Sequence, residues 1–146
     1  MAFNRIFLPL LCVLALASPA MAAGRHTKGE KPLSIAQGRQ VDLADFLVTG
    51  KVTIFDFTSE YCPVCRAYSE PLLALHRQRR DIAVVKVDIN RPEYHLIDYD
   101  SPVARQFALI DKGGVPHFKI YGPDGKLYLE GQEARIQVNQ WLAALE

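Results

Sequence analysis

Cys62 and Cys65 stand two residues apart in the segment Tyr61-Cys62-Pro63-Val64-Cys65. Cysteines at that spacing can close a small-ring disulfide. They follow the apolar run Val52-Thr53-Ile54-Phe55-Asp56-Phe57 and open a stretch of helical character. A helix N-terminus carries partial positive charge, so Cys62 placed there favours thiolate over thiol. The thiolate is the species that attacks disulfides. A C-x-x-C between a buried strand and a helix therefore reads first as redox-active. The competing readings are half of a zinc site and a static staple. Zinc normally needs four ligands, and no second cysteine pair exists to supply them. A loop this short stabilises little through chain entropy, so reactivity explains the pair better than stapling. Asp56 adds a second chemical oddity: a carboxylate in an otherwise apolar strand, where a lone charge is costly.

The chain that must position these groups has 146 residues, enough for one domain with a modest core. Its 49% hydrophobic and 23% charged residues are ordinary for a globular protein. The formal net charge of +1 gives no basic excess to suggest nucleic acid. Residues 1–23 read as a secretory signal. Arg5 supplies the positive start, Ile6 to Ala17 is uncharged, and Ala20-Met21-Ala22 fits the small-x-small cleavage rule. The apolar run is short for a permanent anchor. Cleavage would remove Cys12, leaving both remaining cysteines in the motif. Residues 24–32 (GRHTKGEKP) read as a flexible leader and residues 33–146 as a single domain.

Within that domain the patterning predicts a short strand at Leu33-Ser34-Ile35 and a short helix over Val41–Leu47. A strand over Val52–Thr58 is apolar on both faces, as for a central strand covered by helices. Cys62 to Arg80 is expected as a helix kinked at Pro71, and Ile82–Ile89 as a second buried strand. Asn90–Asp100 is a loop, and Ser101-Pro102 caps a helix reaching Leu109. A strand over His117–Tyr121 turns through Pro123-Asp124-Gly125 into Lys126–Glu130. Ala134–Leu145 closes the chain as an amphipathic helix with Ile136, Val138, Trp141, Leu142 and Leu145 available for burial. That order implies an α/β fold, a mixed central sheet with helices on both faces.

From Val41 to Leu145 the chain resembles thioredoxin-fold proteins, and most fully the exported bacterial thioredoxin-like ones. Four features in register carry the resemblance. They are the strand ending Asp56-Phe57 before Glu60-Tyr61-Cys62-Pro63-Val64-Cys65, Lys86 in Val85-Lys86-Val87-Asp88, Val115-Pro116, and the glycine-bearing hairpin with its terminal helix. The resemblance implies roles. Cys62 would be the exposed nucleophile and Cys65 the buried resolving thiol. Asp56 would take the Cys65 proton, with Lys86 as its charge partner. Pro116 would be a cis-proline, and Tyr61, Pro63, Val64 and Val115 would touch substrate, the Val115 backbone being open to a substrate strand. This chain departs from the family pattern in places. Tyr61 stands where the family usually has Trp, Pro63-Val64 replaces Gly-Pro, Pro71 falls one residue late, and the Asn90–Asp100 loop is long.

The function implied is that of an exported, periplasmic thiol–disulfide oxidoreductase acting on protein disulfides or dithiols, in the reducing direction. It would work as a monomer through the Cys62–Cys65 disulfide, with no organic cofactor, no metal and no nucleic acid. Electrons would come from a membrane redox partner. A periplasmic thiol oxidase or isomerase is one alternative. A Cu(I) metallochaperone is another, since two soft thiolates suit that ion. His117 could face the site or the core. The basic run His76–Arg80 fits a solvated helix end. Tyr94, His95 and Tyr99 could form a partner-binding rim or a lid over the sheet.

Overall fold

The structure, a computed structural model, describes residues 32–145. The expected signal segment (1–23) and all but the last residue of the leader (24–32) lie outside them. The elements run β1 (Leu33–Ala36), a single 3-10 turn (Leu43–Phe46), β2 (Val52–Thr58) and α1 (Pro63–Gln78). There follow β3 (Ile82–Asp88), α2 (Pro102–Gln106), β4 (His117–Tyr121), β5 (Leu127–Glu130) and α3 (Gly131–Ala143). The five strands form one mixed sheet in the order β1-β3-β2-β4-β5. β3 pairs in parallel with β1 and β2, while β4 pairs antiparallel with β2 and β5.

Successive side chains of β2 and β3 alternate between two buried faces. Phe55, Phe57, Val85 and Val87 pack with Leu43, Val103 and Leu109. Ile54, Val84, Phe118 and Ile120 pack with Leu72 and Leu75 of α1 and Ala134 and Val138 of α3. The sheet is thus apolar on both sides, as the continuous apolar runs required. By the same alternation Asp56 falls on the Ile54 face, under α1.

Local chemistry sets the ends of the helices. Cys62 is the N-cap of α1 and Pro63 takes its first position, where a missing N–H costs nothing. The helix continues through Pro71 to Gln78. Pro71 and Ala67, whose carbonyl it cannot serve, are both exposed, so water can meet that carbonyl. Ser101 Oγ accepts the Ala104 N–H at 3.2 Å, capping α2 as expected. α2 stops at Gln106, short of Leu109, because the chain turns into the left-handed region at Ala108 (φ 49°). The expected helix over Val41–Leu47 is only one 3-10 turn, started by the Asp42 carboxylate on the Ala44 N–H.

α3 begins at Gly131, three residues before the expected start. Its buried line is Ala134 and Val138, with Trp141, Leu142 and Leu145 partly buried beside them. Ile136, expected in that line, is 52% exposed. At 100° per residue it lies about 200° around the helix from Ala134, on the solvent side.

Candidate active site

β2 ends at Thr58 and α1 starts at Pro63, so the short link between them carries Cys62 to the top of the helix. There Cys62 and Cys65 are joined in a disulfide, with their Cα atoms 5.2 Å apart. The Cys65 N–H donates to Cys62 Sγ at 3.1 Å. An orphan donor of the first helical turn is therefore aimed at the sulfur that would carry charge after reduction. That contact and the helix dipole act together on one atom.

Cys62 is not the exposed group that was expected. It is 3% exposed and Cys65 1%. The flanking Pro63 and Val64 stand outward instead, Val64 at 57% exposure. On the far side Cys62 Sγ meets the Val115 carbonyl oxygen at 3.7 Å. On that side the sulfur is covered by the neighbouring loop.

The Val115–Pro116 peptide bond is cis. Pro116 is buried and Val115 half-buried. The Pro116 carbonyl accepts Arg135 Nη2 at 2.7 Å, which ties the loop to α3. The Val115 backbone is not free, contrary to expectation: its N–H donates to the Tyr99 hydroxyl at 3.3 Å. Tyr61 is half-buried beside the motif, its hydroxyl 3.0 Å from Nδ1 of His95. The Asn90–Asp100 loop therefore reaches residues on both sides of the disulfide, Tyr61 through His95 and Val115 through Tyr99. In the sequence His95 and Tyr99 read only as a rim or a lid, and Arg135 carries no local signal for the site. Contacts across 16 to 53 residues leave no local pattern to read.

Asp56 lies in β2 between Lys86 of β3 and Phe118 of β4. It is 1% exposed, and its Oδ1 has no hydrogen-bond partner. Burial pushes its carboxyl up to about 7, against a smaller downward pull from the Lys86 charge. A carboxyl poised there can accept or release a proton near neutral pH. Lys86, the expected charge partner, acts on Asp56 through its charge but without touching it. Its ammonium donates to Ser69 Oγ on α1 at 3.4 Å and forms no ion pair with Asp56. In-register residues of neighbouring strands sit about 4.8 Å apart, and the long lysine chain overshoots the short aspartate. Lys86 also lines a polar cleft of about 210 Å³ with Ser69, Glu60, Arg66 and Asp88.

His117 belongs to the opposite face. It is buried against Phe57, and its Nε2 meets Glu130 Oε1 at 3.2 Å. Burial pulls its imidazole below the usual range. Of the basic run at the end of α1, Arg79 pairs with exposed Asp81, while Nδ1 of His76 accepts the Val84 N–H of β3. Among the described residues no group of three or more His, Cys, Asp or Glu is placed to hold a metal ion.

With this geometry in place, the chain can be set beside known structures. A single-substitution mutant of a thioredoxin from Halobacterium salinarum superposes with a TM-score of 0.51 and 21% identity, over 84% of this chain and 97% of that one. The chain has a thioredoxin-like fold. A yeast structure describing thiol resolution in mitochondrial 1-Cys peroxiredoxin via glutathione/thioredoxin systems also matches at 0.51, with 13% identity over 78% and 99%. No family model and no curated protein matches the sequence.

Proposed function

We propose that the protein is a thiol–disulfide oxidoreductase that exchanges disulfides with other proteins through Cys62 and Cys65. The observation that carries this is the Cys65 N–H on Cys62 Sγ at the N-cap of α1. It stabilises a Cys62 thiolate once the pair is reduced. That thiolate attacks one sulfur of a substrate disulfide, forming the Cys62–substrate bond and releasing the other sulfur as thiolate. Cys65, giving up its proton, then attacks Cys62 Sγ. This re-forms Cys62–Cys65 and releases the second substrate thiol, so two electrons pass to the substrate. Asp56 is the proton acceptor this scheme assigns to Cys65. It shares the α1 side of the sheet and is pushed to about 7 by burial.

The same proposal includes export by the 1–23 signal and a reducing direction, with electrons from a membrane redox partner outside the cytosol. The apolar stretch and cleavage pattern in the sequence support export. The motif pair is all that a cleaved chain would keep of its cysteines, which suits a dedicated redox centre. The test is the reduction potential of the Cys62–Cys65 pair in a glutathione series, with Cys65→Ser to trap the mixed disulfide. A value near about −270 mV or lower supports a reductase. A value near about −120 mV reverses the direction to disulfide formation. A pair that does not cycle removes the enzyme assignment.

A further inference from the structure

The cis-proline edge beside the disulfide is already occupied by a side chain of the protein itself. Val115 offers one N–H and one carbonyl there, and Pro116 has no N–H to add. The Val115 carbonyl oxygen lies 3.7 Å from Cys62 Sγ, while its N–H donates to the Tyr99 hydroxyl at 3.3 Å. In an antiparallel pair, a hydrogen-bonded residue uses both its N–H and its carbonyl on the same partner. An extended substrate chain registering on Val115 finds the acceptor open and the donor taken.

The neighbourhood is built to hold that hydroxyl in place. Gly114 has φ 78°, and a Cβ there would come within 2.5 Å of the Tyr99 hydroxyl oxygen. Glycine at this position is what admits the hydroxyl to the loop. Tyr99 itself is fixed from behind. Asp98, fully buried, holds Arg91 through two bonds of 2.7 and 3.0 Å. The Asp98 carbonyl accepts the Ser101 N–H at 3.3 Å, and the Tyr99 ring packs on the edge of the Phe57 core.

We infer that Tyr99 is a latch on the substrate-pairing edge, a positioning residue whose hydroxyl occupies the Val115 N–H until an extended peptide displaces it. This inference rests on the oxidoreductase assignment and concerns which substrates that site favours. Substrates that need only sulfur chemistry pass unaffected. Those that also pair along the Val115 backbone must first break the Tyr99 bond, so only chains with enough further contact bind well. The latch discriminates against weakly held peptides without slowing thiol exchange itself.

Tyr99→Phe keeps the ring and removes the hydroxyl. Two oxidised probes separate the outcomes. One is a symmetrical aryl disulfide, and the other a decapeptide joined by its central cysteine to the same aryl thiol. Dithiothreitol is the electron donor for both. The expected result is a KM for the peptide about fivefold lower in Tyr99→Phe, the worth of one net hydrogen bond, with kcat and the aryl-disulfide rate unchanged. An unchanged or higher peptide KM overturns the latch. Amide hydrogen exchange on the unsubstituted protein gives an independent reading. A protected Val115 N–H supports the latch, and one exchanging at the open-chain rate overturns it even if the variant fails to fold. Failure of the unsubstituted protein to react with either probe overturns the oxidoreductase assignment and the latch with it.

Discussion

Two aspartates of this protein expose almost no surface, yet they are treated in opposite ways. One lies deep in the sheet and the other near its rim. Asp98 is 0% exposed and Asp56 1%. Asp98 receives Arg91 through Nε and Nη2 and also the Arg91 backbone N–H. Those donors hold its carboxyl below the usual range. Asp56 has an orphaned Oδ1, sees Lys86 only at a distance, and is pushed up to about 7. Burial alone costs a carboxylate several kcal/mol, so a fold that merely needs a buried acid surrounds it with donors. The first acid anchors the loop that brings His95 to Tyr61 and Tyr99 to Val115. The second lies beneath the helix that carries the disulfide and keeps its proton available. The difference separates an acid that builds the site from one that can work in it.

The largest loss of stability that could break this contrast comes from Asp98→Ala. It leaves the Arg91 guanidinium without its partner and the loop without its anchor. Arg91 is partly exposed, so the cost is that of the hydrogen bonds lost around the buried acid rather than of a stranded buried charge. Urea unfolding at pH 7 should lose about 2–3 kcal/mol. In the parent protein the Asp98 contribution is present above about pH 4, the unfolded value, and is lost as pH falls through its depressed folded value. A loss under about 1 kcal/mol would mean that Asp98 is not the anchor.

Asp56→Asn should act with the opposite sign. With its folded value raised from 3.8 to about 7, the native state binds the Asp56 proton more tightly than the unfolded chain does. Stability in the parent should therefore fall with rising pH, from about pH 4 until about pH 7. A rise of that size corresponds to about 4 kcal/mol at most. Removing the charge should abolish that slope, leaving the variant more stable above pH 7. The same variant should release substrate from the Cys62 mixed disulfide about a hundredfold more slowly, since a positioned base is worth at least that much. Equal pH slopes in the two proteins would show that Asp56 is not buried in this way. A normal release rate would remove it from the proton path.

The contrast also shows which parts of the site can be read from sequence. Cys62, Cys65 and Asp56 are legible because each breaks a local rule. Two cysteines share one turn, and a charge interrupts an apolar strand that is then seen buried on both faces. Pro116 and Lys86 are placed by resemblance. The Pro116 bond is cis, and the Lys86 charge acts on Asp56 without direct contact, because side-chain length is not fixed by strand register. Tyr99 and Asp98 break no local rule. A tyrosine and an aspartate in a polar loop are ordinary until folding brings them to Gly114 and Arg91. The strands, the ends of α1 and the buried line of α3 follow from apolar period and capping residues, whereas the start of α3 does not. Gly131 is a poor signal for a helix start. Ile136 falls off the i, i+4, i+7, i+8 line of Ala134, Val138, Trp141 and Leu142, so the period itself turns it outward.

The smallest effect sharpens the contrast most, because it asks whether Asp56 is tuned or simply abandoned. Lys86 is half-buried, bonded to Ser69, and unpaired with Asp56, yet its charge draws the Asp56 proton affinity down against the larger effect of burial. Lys86→Met keeps the aliphatic length, fills the same space against α1, and deletes the charge. Stability should change by less than about 1 kcal/mol at pH 5, where Asp56 is protonated in both proteins. Titration of Asp56, followed by the carboxyl carbon shift or by the pH profile of mixed-disulfide release, should move to higher pH. The sign follows from charge alone: without a nearby cation the carboxylate loses its one favourable neighbour, and burial acts unopposed. A midpoint that stays put would mean that Lys86 belongs to the polar cleft with Ser69 and Asp88, and that the Asp56 proton is set by burial only. A midpoint that moves up would make Lys86 the residue that keeps a deliberately unpaired acid usable near neutral pH.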